Sequence, residues 1–563
     1  MIESIPPGML LMIGALAVPF LHGRVKRAYM LALPVLGIVQ VALLPNGFDW
    51  SLQLFGYSLT LVRVDELSRV FAYVFHIAAF LGVIYALHVK DNLQYVSALM
   101  YAGAAIGALF AGDLITLFVY WELTAITSLF QIWAQRTERA YRAGLRYLII
   151  QVGSGVLLLA GAIFHFVDTG SLAFGSMGLV SLGTTLIFLA FGIKAAFPLL
   201  HAWLEDAYPE ATITGTVFLS AFTTKLAIYA LARGFAGTEI LVPIGALMAA
   251  FPIFYAVIEN DLRKVLSYSL NNQLGFMVVG VGIGTEMALN GTAAHAFAHI
   301  LYKALLFMSM GAVLYRTGTI KASELGGLYR SMPWTATFCI VGAASISAFP
   351  LFSGFISKSL ILAAAADNHY TLTFLVLLFA SAGVFHHSGI KVPYFAFYAH
   401  DSGIRCEEAP RNMLVAMGSA AILCIAIGVF PGLLYPLLPF PVEFDPYTTS
   451  HVVNQLQLLM FSAAAFIFLQ KTGIYPPELR AVNLDVEWVY RRALPVFFDR
   501  IEQVSSRVTG AFRAGAQRGL AFSVGYIKGH HSPNGLLGEP WPIGVASLWA
   551  AVLLLAYLLL AYL

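Results

Sequence analysis

Sixteen apolar stretches run through the chain, each close to the roughly 20 residues that a helix needs to cross a bilayer. They lie near 6–22, 28–45, 67–88, 94–111, 114–134, 144–167, 181–203, 212–234, 239–258, 265–284, 289–315, 333–365, 371–398, 412–437, 452–470 and 542–562. In lipid, backbone N–H and C=O groups find no water, so each stretch must satisfy them internally as a helix. The expected fold is an all-α polytopic membrane protein of about 14–16 transmembrane helices. Composition leaves little room for a soluble domain. Charged residues are 11 % of the chain, against about 25 % in soluble domains. One short stretch, 49–63, alternates polar and apolar residues around Gly56 and Tyr57, and is expected to form a hairpin outside the bilayer.

Loop charge sets an orientation. Arg24, Lys26 and Arg27 follow the first stretch, Lys90 the third, and Arg136, Arg139 and Arg142 the fifth. Arg263 and Lys264 follow the ninth, Arg316, Lys321 and Arg330 the eleventh, and Arg405 and Arg411 the thirteenth. All are odd-numbered ends, whereas the opposite loops hold little beyond Arg63 and Arg233. The positive-inside rule then places the N-terminus outside and these loops in the cytoplasm, or its organellar equivalent. The connection after the seventh stretch is an exception. It carries Glu205, Asp206 and Glu210 without a cation, so it is expected to be held by partner groups or partly buried. The first residues lack a basic region and an A-x-A site, and no cleaved signal peptide is expected.

Two stretches contain the tetrapeptide Ala-Phe-Pro-Leu, at 196–199 and 348–351. Proline removes a donor and clashes with the preceding turn, so both helices should break. A lysine stands near each break, Lys194 and Lys358. The breaks fall in the seventh and twelfth stretches, an odd offset, which is the pattern of two inverted five-helix repeats with discontinuous helices. The expected organisation is N-terminal helices and the hairpin over 1–90, a first repeat over 91–235, a second over 236–400, and C-terminal helices over 401–470. An amphipathic cytoplasmic-side segment then covers 471–541, and a final helix 542–563. Within that segment Phe497, Ile501, Val504, Val508 and Phe512 share one face, with arginines opposite and Pro495 at the start. A helix of about 30 residues is expected, lying on the inner surface or along neighbouring spans.

Ionisable groups inside such spans are costly and mark conduction paths. Glu122 is alone in the fifth stretch; Lys194 and Lys225 lie in the seventh and eighth. His295, His299 and Lys303 follow one another at i, i+4 in the eleventh, so they share a helix face. Lys358 lies in the twelfth. Burial disfavours a charged ammonium and a nearby carboxylate favours it, so a Glu–Lys pair is both relay and switch. Lys391 is read as a lysine snorkelling to the interface. His76, His165, His386 and His387 are placed near interfaces without a special role, and Glu259 and Asp261 as loop partners of Arg263 and Lys264.

Several chemistries find no support. Cys339, Cys406 and Cys424 are isolated, so zinc knuckles and iron–sulfur ligation are not expected, and the cysteines read as apolar fillers. The His295/His299 pair lacks the glutamate of HExxH and a third ligand, so no metal is expected. No Walker loop or dinucleotide fingerprint is present, and no cofactor or nucleic-acid partner is expected.

The order of these segments resembles a known family. YWEL in the fifth stretch, GIKAAFPLLHAWLEDAYPEATITGTVFLSAFTTKLAIYALAR, DLRKVLSYSLNNQLGFM, HAFAHILYKALLFMSMGAVLYRTG and SAFPLFSGFISKSLIL are similar to the antiporter-like subunit superfamily. That superfamily covers membrane-arm subunits of respiratory complex I, related hydrogenases and Mrp multisubunit cation/proton antiporters. The resemblance is close over about 90–450 and looser elsewhere. It implies that Glu122 is the fifth-helix glutamate, Lys194 the seventh-helix lysine and Lys225 the connecting lysine of the eighth. It also implies that His295, His299 and Lys303 form the central axis, and that Lys358 stands at the distal exit. Two half-channels joined by a hydrated axis would follow. Lys225 resembles the D-type Mrp subunits and the middle complex I subunits, the GIKVPYFAFYAHDSG segment resembles Mrp-type proteins, and the tail resembles a shortened lateral helix of the distal complex I subunit.

The function implied is proton translocation in a multisubunit Na⁺ or K⁺/H⁺ antiporter. The alternatives are a proton-pumping subunit of a complex I-like or hydrogenase assembly, or of an inorganic carbon uptake complex. The expected partners are other membrane subunits, the lipid bilayer, H⁺, and Na⁺ or K⁺.

Overall fold

A computed structural model describes residues 5–476, 478–479 and 483–562. It divides into two compact units, Met1–Asp485 and Val486–Leu563. The first unit runs α1 (Met9–Ala17), α2 (Gly23–Leu43), β1 (Asp49–Leu54), β2 (Tyr57–Arg63), α3 (Glu66–Ala86), α4 (Asn92–Phe110), α5 (Leu114–Trp133) and α6 (Glu138–Thr169). It continues through α7 (Leu182–Lys194), α8 (Ala202–Ala207), α9 (Gly215–Ala221), α10 (Thr223–Gly234), α11 (Leu241–Ile258), α12 (Leu262–Ile283) and α13 (Glu286–Thr317). It closes with α14 (Pro333–Ile346), α15 (Ser353–Asp367), α16 (Thr371–Val384), α17 (Arg411–Val429) and α18 (Thr449–Thr472). The second unit holds α19 (Leu494–His531) and α20 (Ile543–Tyr562).

Each of the sixteen expected stretches is helical. Among the described residues, twelve helices are long and apolar enough to cross a membrane. The apolar helices α1, α7 and α14 are shorter. At 22 residues α12 is long enough, but Ser267, Ser269, Asn271, Asn272 and Gln273 sit buried along its middle. Its polar side chains face protein rather than lipid. The hairpin forms as β1 and β2, antiparallel with Asp49 opposite Arg63. Among the described residues the three cysteines are free thiols, two of them buried.

Hydrogen bonds gather the loops by parity. On one face Arg63 of the hairpin donates to Phe174 O, and Gly112 N donates to Thr60 O. On the other, Thr212 N reaches Gln131 O at the end of α5, and Arg263 reaches the carbonyls of Pro209, Ala211 and Thr212. The acidic connection is held there: Arg146 forks onto Asp206 at 2.6 and 2.9 Å, and Arg139 meets Glu210 at 2.6 Å. Arg263 thus caps carbonyls rather than pairing with Glu259, while Lys264 does approach Glu259, at 3.6 Å. Asp261 caps α12 through Arg263 N and meets Lys321 at 2.9 Å.

One junction appears twice, once on each face. Asp113 caps α5, Leu114 N bonds Leu172 O, and Phe174 N bonds Gly112 O. Asp261 caps α12, Leu262 N bonds Ile320 O, and Ala322 N bonds Asn260 O, at the same spacing. The following helices α6 and α13 are both 32 residues long, both N-capped by threonine and both ended by a left-handed glycine.

The two Ala-Phe-Pro-Leu segments also match. Ala196 and Leu199 have φ of 61° and 69°; Ala348 and Leu351 have 57° and 73°. Phe197 N bonds Gly192 O and Phe349 N bonds Ala344 O, each at 3.0 Å. Proline ends each helix, and the chain turns through two left-handed residues before it re-enters a helix. At the core of this unit lies α13, buried almost throughout and packed by α3, α9, α12, α14, α15 and α17.

In the second unit α19 is a single 38-residue helix with Pro495 in its first turn, longer than the 30 residues expected. It spans about 57 Å.

Candidate functional site

The buried polar groups are arranged around the two breaks and α13. Lys194 is the last residue of α7, fully buried. Its Nζ donates to Trp121 O at 2.6 Å and Thr124 Oγ1 at 3.1 Å, and lies 4.4 Å from the Trp121 ring centroid. Glu122 is half-buried, one residue along α5, and its Oε1 has no hydrogen-bond partner among the described residues. The carboxylate rests against Gly155 of α6, where any Cβ would overlap it. Glu122 and Lys194 are electrostatic neighbours, yet among the described residues they form no ion pair within 4.0 Å. The lysine is held by neutral oxygens, so the proton on it is not locked by a contact carboxylate.

Lys225 is fully buried in α10, its Nζ donating to Ser220 O at 2.5 Å. The helix is interrupted at Phe222, between α9 and α10, which frees that carbonyl. Lys358 of α15 donates to Ile346 O at 2.7 Å, the last carbonyl before the second break, and lies 5.1 Å from the Phe276 ring. Both lysines therefore take carbonyls that an intact helix would have used.

On α13, His295 Nδ1 lies 3.0 Å from Ser357 Oγ, and its Nε2 is 3.5 Å from Tyr302 OH, which donates to Gln273 at 3.1 Å. The His295 and His299 rings are 6.2 Å apart, and His299 meets Tyr302 edge-on at 5.3 Å. Both His299 nitrogens and Lys303 Nζ lack hydrogen-bond partners among the described residues, and all are fully buried. Lys225, His295, His299, Lys303 and Lys358 are one set of electrostatic neighbours. Glu122 and Lys194 are the other.

Sequence reasoning missed several members. Ser357, Tyr302 and Gln273 are uncharged and carried no signal of their own. His387 is fully buried, 2.9 Å from Ser388 Oγ, which donates to Ser269 of α12, and its charged neighbours include Lys303 and Lys358. His76 is likewise buried, its Nδ1 2.8 Å from Ala72 O. Both are enclosed by protein. Lys391 does not snorkel. It ends a π-helical segment, Phe385–Lys391, is fully buried, donates to Val257 O and Glu259 O, and pairs with Glu478 at 3.0 Å. Burial pushes the Glu478 carboxyl up from its usual range, with Lys391 drawing it back. The wide π turn carries Lys391 under the end of α11, where free carbonyls are available.

A cavity of about 790 Å³ is lined by Ser359, the residue after Lys358, with Phe374, Glu443, Asp445, His451 and Gln455. Its acids lie between α17 and α18, on the face shared with the hairpin. Among the described residues no cluster of three or more His, Cys, Asp or Glu could hold a metal ion.

Comparison with known proteins places this arrangement. Residues 111–385 match the family described as NADH:quinone oxidoreductase/Mrp antiporter, TM. The chain is 32 % identical to the D-type Na(+)/H(+) antiporter protein of Alkalihalophilus pseudofirmus, over 52 % of this chain and 63 % of that protein. It is 28 % identical to Hydrogenase-4 component B of Escherichia coli, over 68 % of this chain and 60 % of that protein. It thus spans about six-tenths of the length of these curated relatives. A chain of the membrane-bound sulfane sulfur reductase, an archaeal respiratory membrane complex, shares the fold at a TM-score of 0.72. That match has 22 % identity and covers 99 % of this chain and all of the other. Residues 111–385, the part that matches the NADH:quinone oxidoreductase/Mrp antiporter family, carry Glu122, Lys194, the α13 row and Lys358.

Proposed function

We propose that this chain is the proton-translocating membrane subunit of a multisubunit Na⁺ or K⁺/H⁺ antiporter. The observation that carries the reading is the succession of buried ionisable groups from Glu122 and Lys194, through Lys225, His295, His299 and Lys303, to Lys358. Charges this deep in apolar helices are functional by default. Buried polar groups such as His299 and Lys303 are ordinarily satisfied by water, so a hydrated path along α13 fits them. A lysine bonded only to neutral oxygens can change its charge without breaking an ion pair. When Glu122 attracts the proton on Lys194 less, the proton moves on; Lys358 then discharges toward the acid-lined cavity. The matching junctions and breaks support two inverted five-helix units, over 91–235 and 236–400. Loop cations support an extracytoplasmic N-terminus in a bacterial inner membrane.

The relatives named as antiporter subunits supply the cation half of this reading, and the partners are the remaining membrane subunits of the complex. The match to Hydrogenase-4 component B covers more of this chain, and it favours one second reading, a proton pump powered by redox partners. Everted vesicles of an antiporter-deficient bacterium separate the two. The complete complex should dissipate ΔpH on addition of Na⁺ or K⁺, and Lys358→Ala should abolish the response. An assembled complex with no cation response rejects antiport in favour of the redox-driven reading.

A further inference from the structure

Glu205 has no place in the succession above. It stands in α8, just past the first break, and is 2 % exposed. Neither of its carboxylate oxygens has a hydrogen-bond partner on another described residue. A buried, unpartnered carboxylate is expensive unless it holds a proton or a cation. Its charged neighbours are His201, Asp485 and Lys264.

Asp485 arrives from a distant part of the chain, after α18. It accepts the Tyr268 hydroxyl at 2.7 Å and lies 3.3 Å from His201 Nε2. The His201 and Asp485 side chains are each 3 % exposed. Aromatic rings wall the group: His201 lies 4.6 Å from Phe251, and Tyr268 stacks on Tyr255 at 5.2 Å. The other charged groups near it have partners. Lys264 approaches Glu259, Arg146 holds Asp206, and Asn483 donates to Glu259 at 3.3 Å. One turn deeper than Tyr268 on α12, Asn271 is fully buried with both amide atoms unpartnered among the described residues. Trp203 Nε1 donates to Ile193 O at 2.9 Å, which ties α8 to the helix end that carries Lys194. Tyr268 is only the seventh residue of α12, so the cluster lies about 9 Å inside the face that bears Arg263 and Lys264.

We propose that Glu205, with Asp485, His201 and Tyr268, is a proton-loading site on that face, which feeds the path proposed above and so rests on that reading. A proton taken up there forms the neutral acid at Glu205 and removes one of two buried negative charges. His201 is the adjacent base, able to carry a proton on either ring nitrogen. Asn271 and the end of α7 lie inward of it. Through Asp485 the site also depends on a residue that comes after α18 in the chain.

The test uses the whole complex. Glu205→Gln, Asp485→Asn, the double variant and Glu205→Asp are compared with wild type in everted vesicles across a pH series. The purified complexes are examined by infrared difference spectroscopy for the C=O band of a protonated carboxyl group. Glu205→Gln should assemble, lose about tenfold or more of its rate where protons are scarce, and lose that carboxyl band. The double variant should be no slower than the slower single one, and Glu205→Asp should restore both the pH profile and the band. A wild-type rate, pH profile and infrared spectrum in Glu205→Gln overturns the site. So does an equal loss at every pH with the band intact, which is the mark of a structural role. If Glu205→Gln does not assemble, Glu205→Asp and Asp485→Asn decide: an unaltered pH profile and band in both rejects the proposal. A wild-type complex without transport would sink the proposed function instead, and the infrared arm would still judge the site.

Discussion

The breaks at 196–199 and 348–351 share their backbone and differ in their charges. Each turns through two left-handed residues at equivalent places and closes with the same hydrogen bonds. Around the first, lysine precedes the break and donates across to α5, while Glu205 and Asp206 follow it. Around the second, Ser357 and Lys358 follow, and the lysine takes the carbonyl the break has freed. The first break faces a carboxylate on α5 and acids on the Arg263 side; the second neighbours an acid-lined cavity on the hairpin side. A helix break is thus a reusable scaffold, and the placement of one lysine before it or after it gives the two copies different work. On the proposed path the first break serves loading and the second discharge.

The largest expected effect breaks the comparison at its lysines. Lys194→Ala and Lys358→Ala should each lower transport by roughly 100-fold or more in a complex of normal size. Equal losses mean that the breaks act in series. Transport surviving in Lys194→Ala but not in Lys358→Ala would mean that protons bypass the first break, and full activity in both would reject the relay.

Much of this is readable from sequence, for identifiable reasons. Span length, loop cations and two prolines are local signals, and they locate every span and both breaks. The i, i+4 row of His295, His299 and Lys303 needs only helix geometry. What escapes is set by tertiary contact. Lys391 reads as snorkelling because it stands near a span end; the π turn that swings it inward leaves no mark in hydropathy. Asp485 lies in a polar stretch without periodicity, so nothing local ties it to His201 and Tyr268. Arg263 has acids close by in sequence, whereas its guanidinium takes the free carbonyls of the 208–212 turn.

The braces behind the breaks should differ next. The π-helical segment ending at Lys391 packs on α14, and the Lys391–Glu478 pair is buried. Lys391→Met leaves a buried carboxylate alone and should cost about 3–5 kcal/mol. Behind the first break, Arg146 is 27 % exposed on its bond to Asp206, and Arg146→Met should cost about 1–2 kcal/mol. Thermal unfolding of the two purified variant complexes checks the order, and equal losses would show that the braces are equivalent.

Glycine contacts sharpen the contrast further. A Cβ on Gly428 of α17 would strike the backbone of Leu351 and Phe352 at the second break, which cannot yield. Gly428→Ala should cost about 1–3 kcal/mol through that overlap. A Cβ on Gly192 would meet the ring of Phe197, a side chain able to rotate, so Gly192→Ala should cost less. A larger loss of melting temperature in Gly192→Ala would place the more rigid break in the first copy.

The smallest effect tests whether the turns themselves are equivalent. Ala196 and Ala348 hold φ near 60°, where an L-residue carries about 1–2 kcal/mol of strain. Glycine relieves that strain but adds roughly 0.5–1 kcal/mol of unfolded-chain entropy. Ala196→Gly and Ala348→Gly should therefore each change stability by about 1 kcal/mol or less, in the stabilising direction. If the scaffold is common, the two changes agree. Transport need not agree, because Lys194 is two residues before its turn and Lys358 ten residues after its own. Loosening the first turn acts directly on the end of α7 that positions a proton carrier, whereas α15 re-forms before Lys358 is reached. Ala196→Gly should slow transport severalfold without loss of stability, with Ala348→Gly near wild type in transport. Equal transport in both would mean that the position of the lysine relative to the break does not distinguish the two copies.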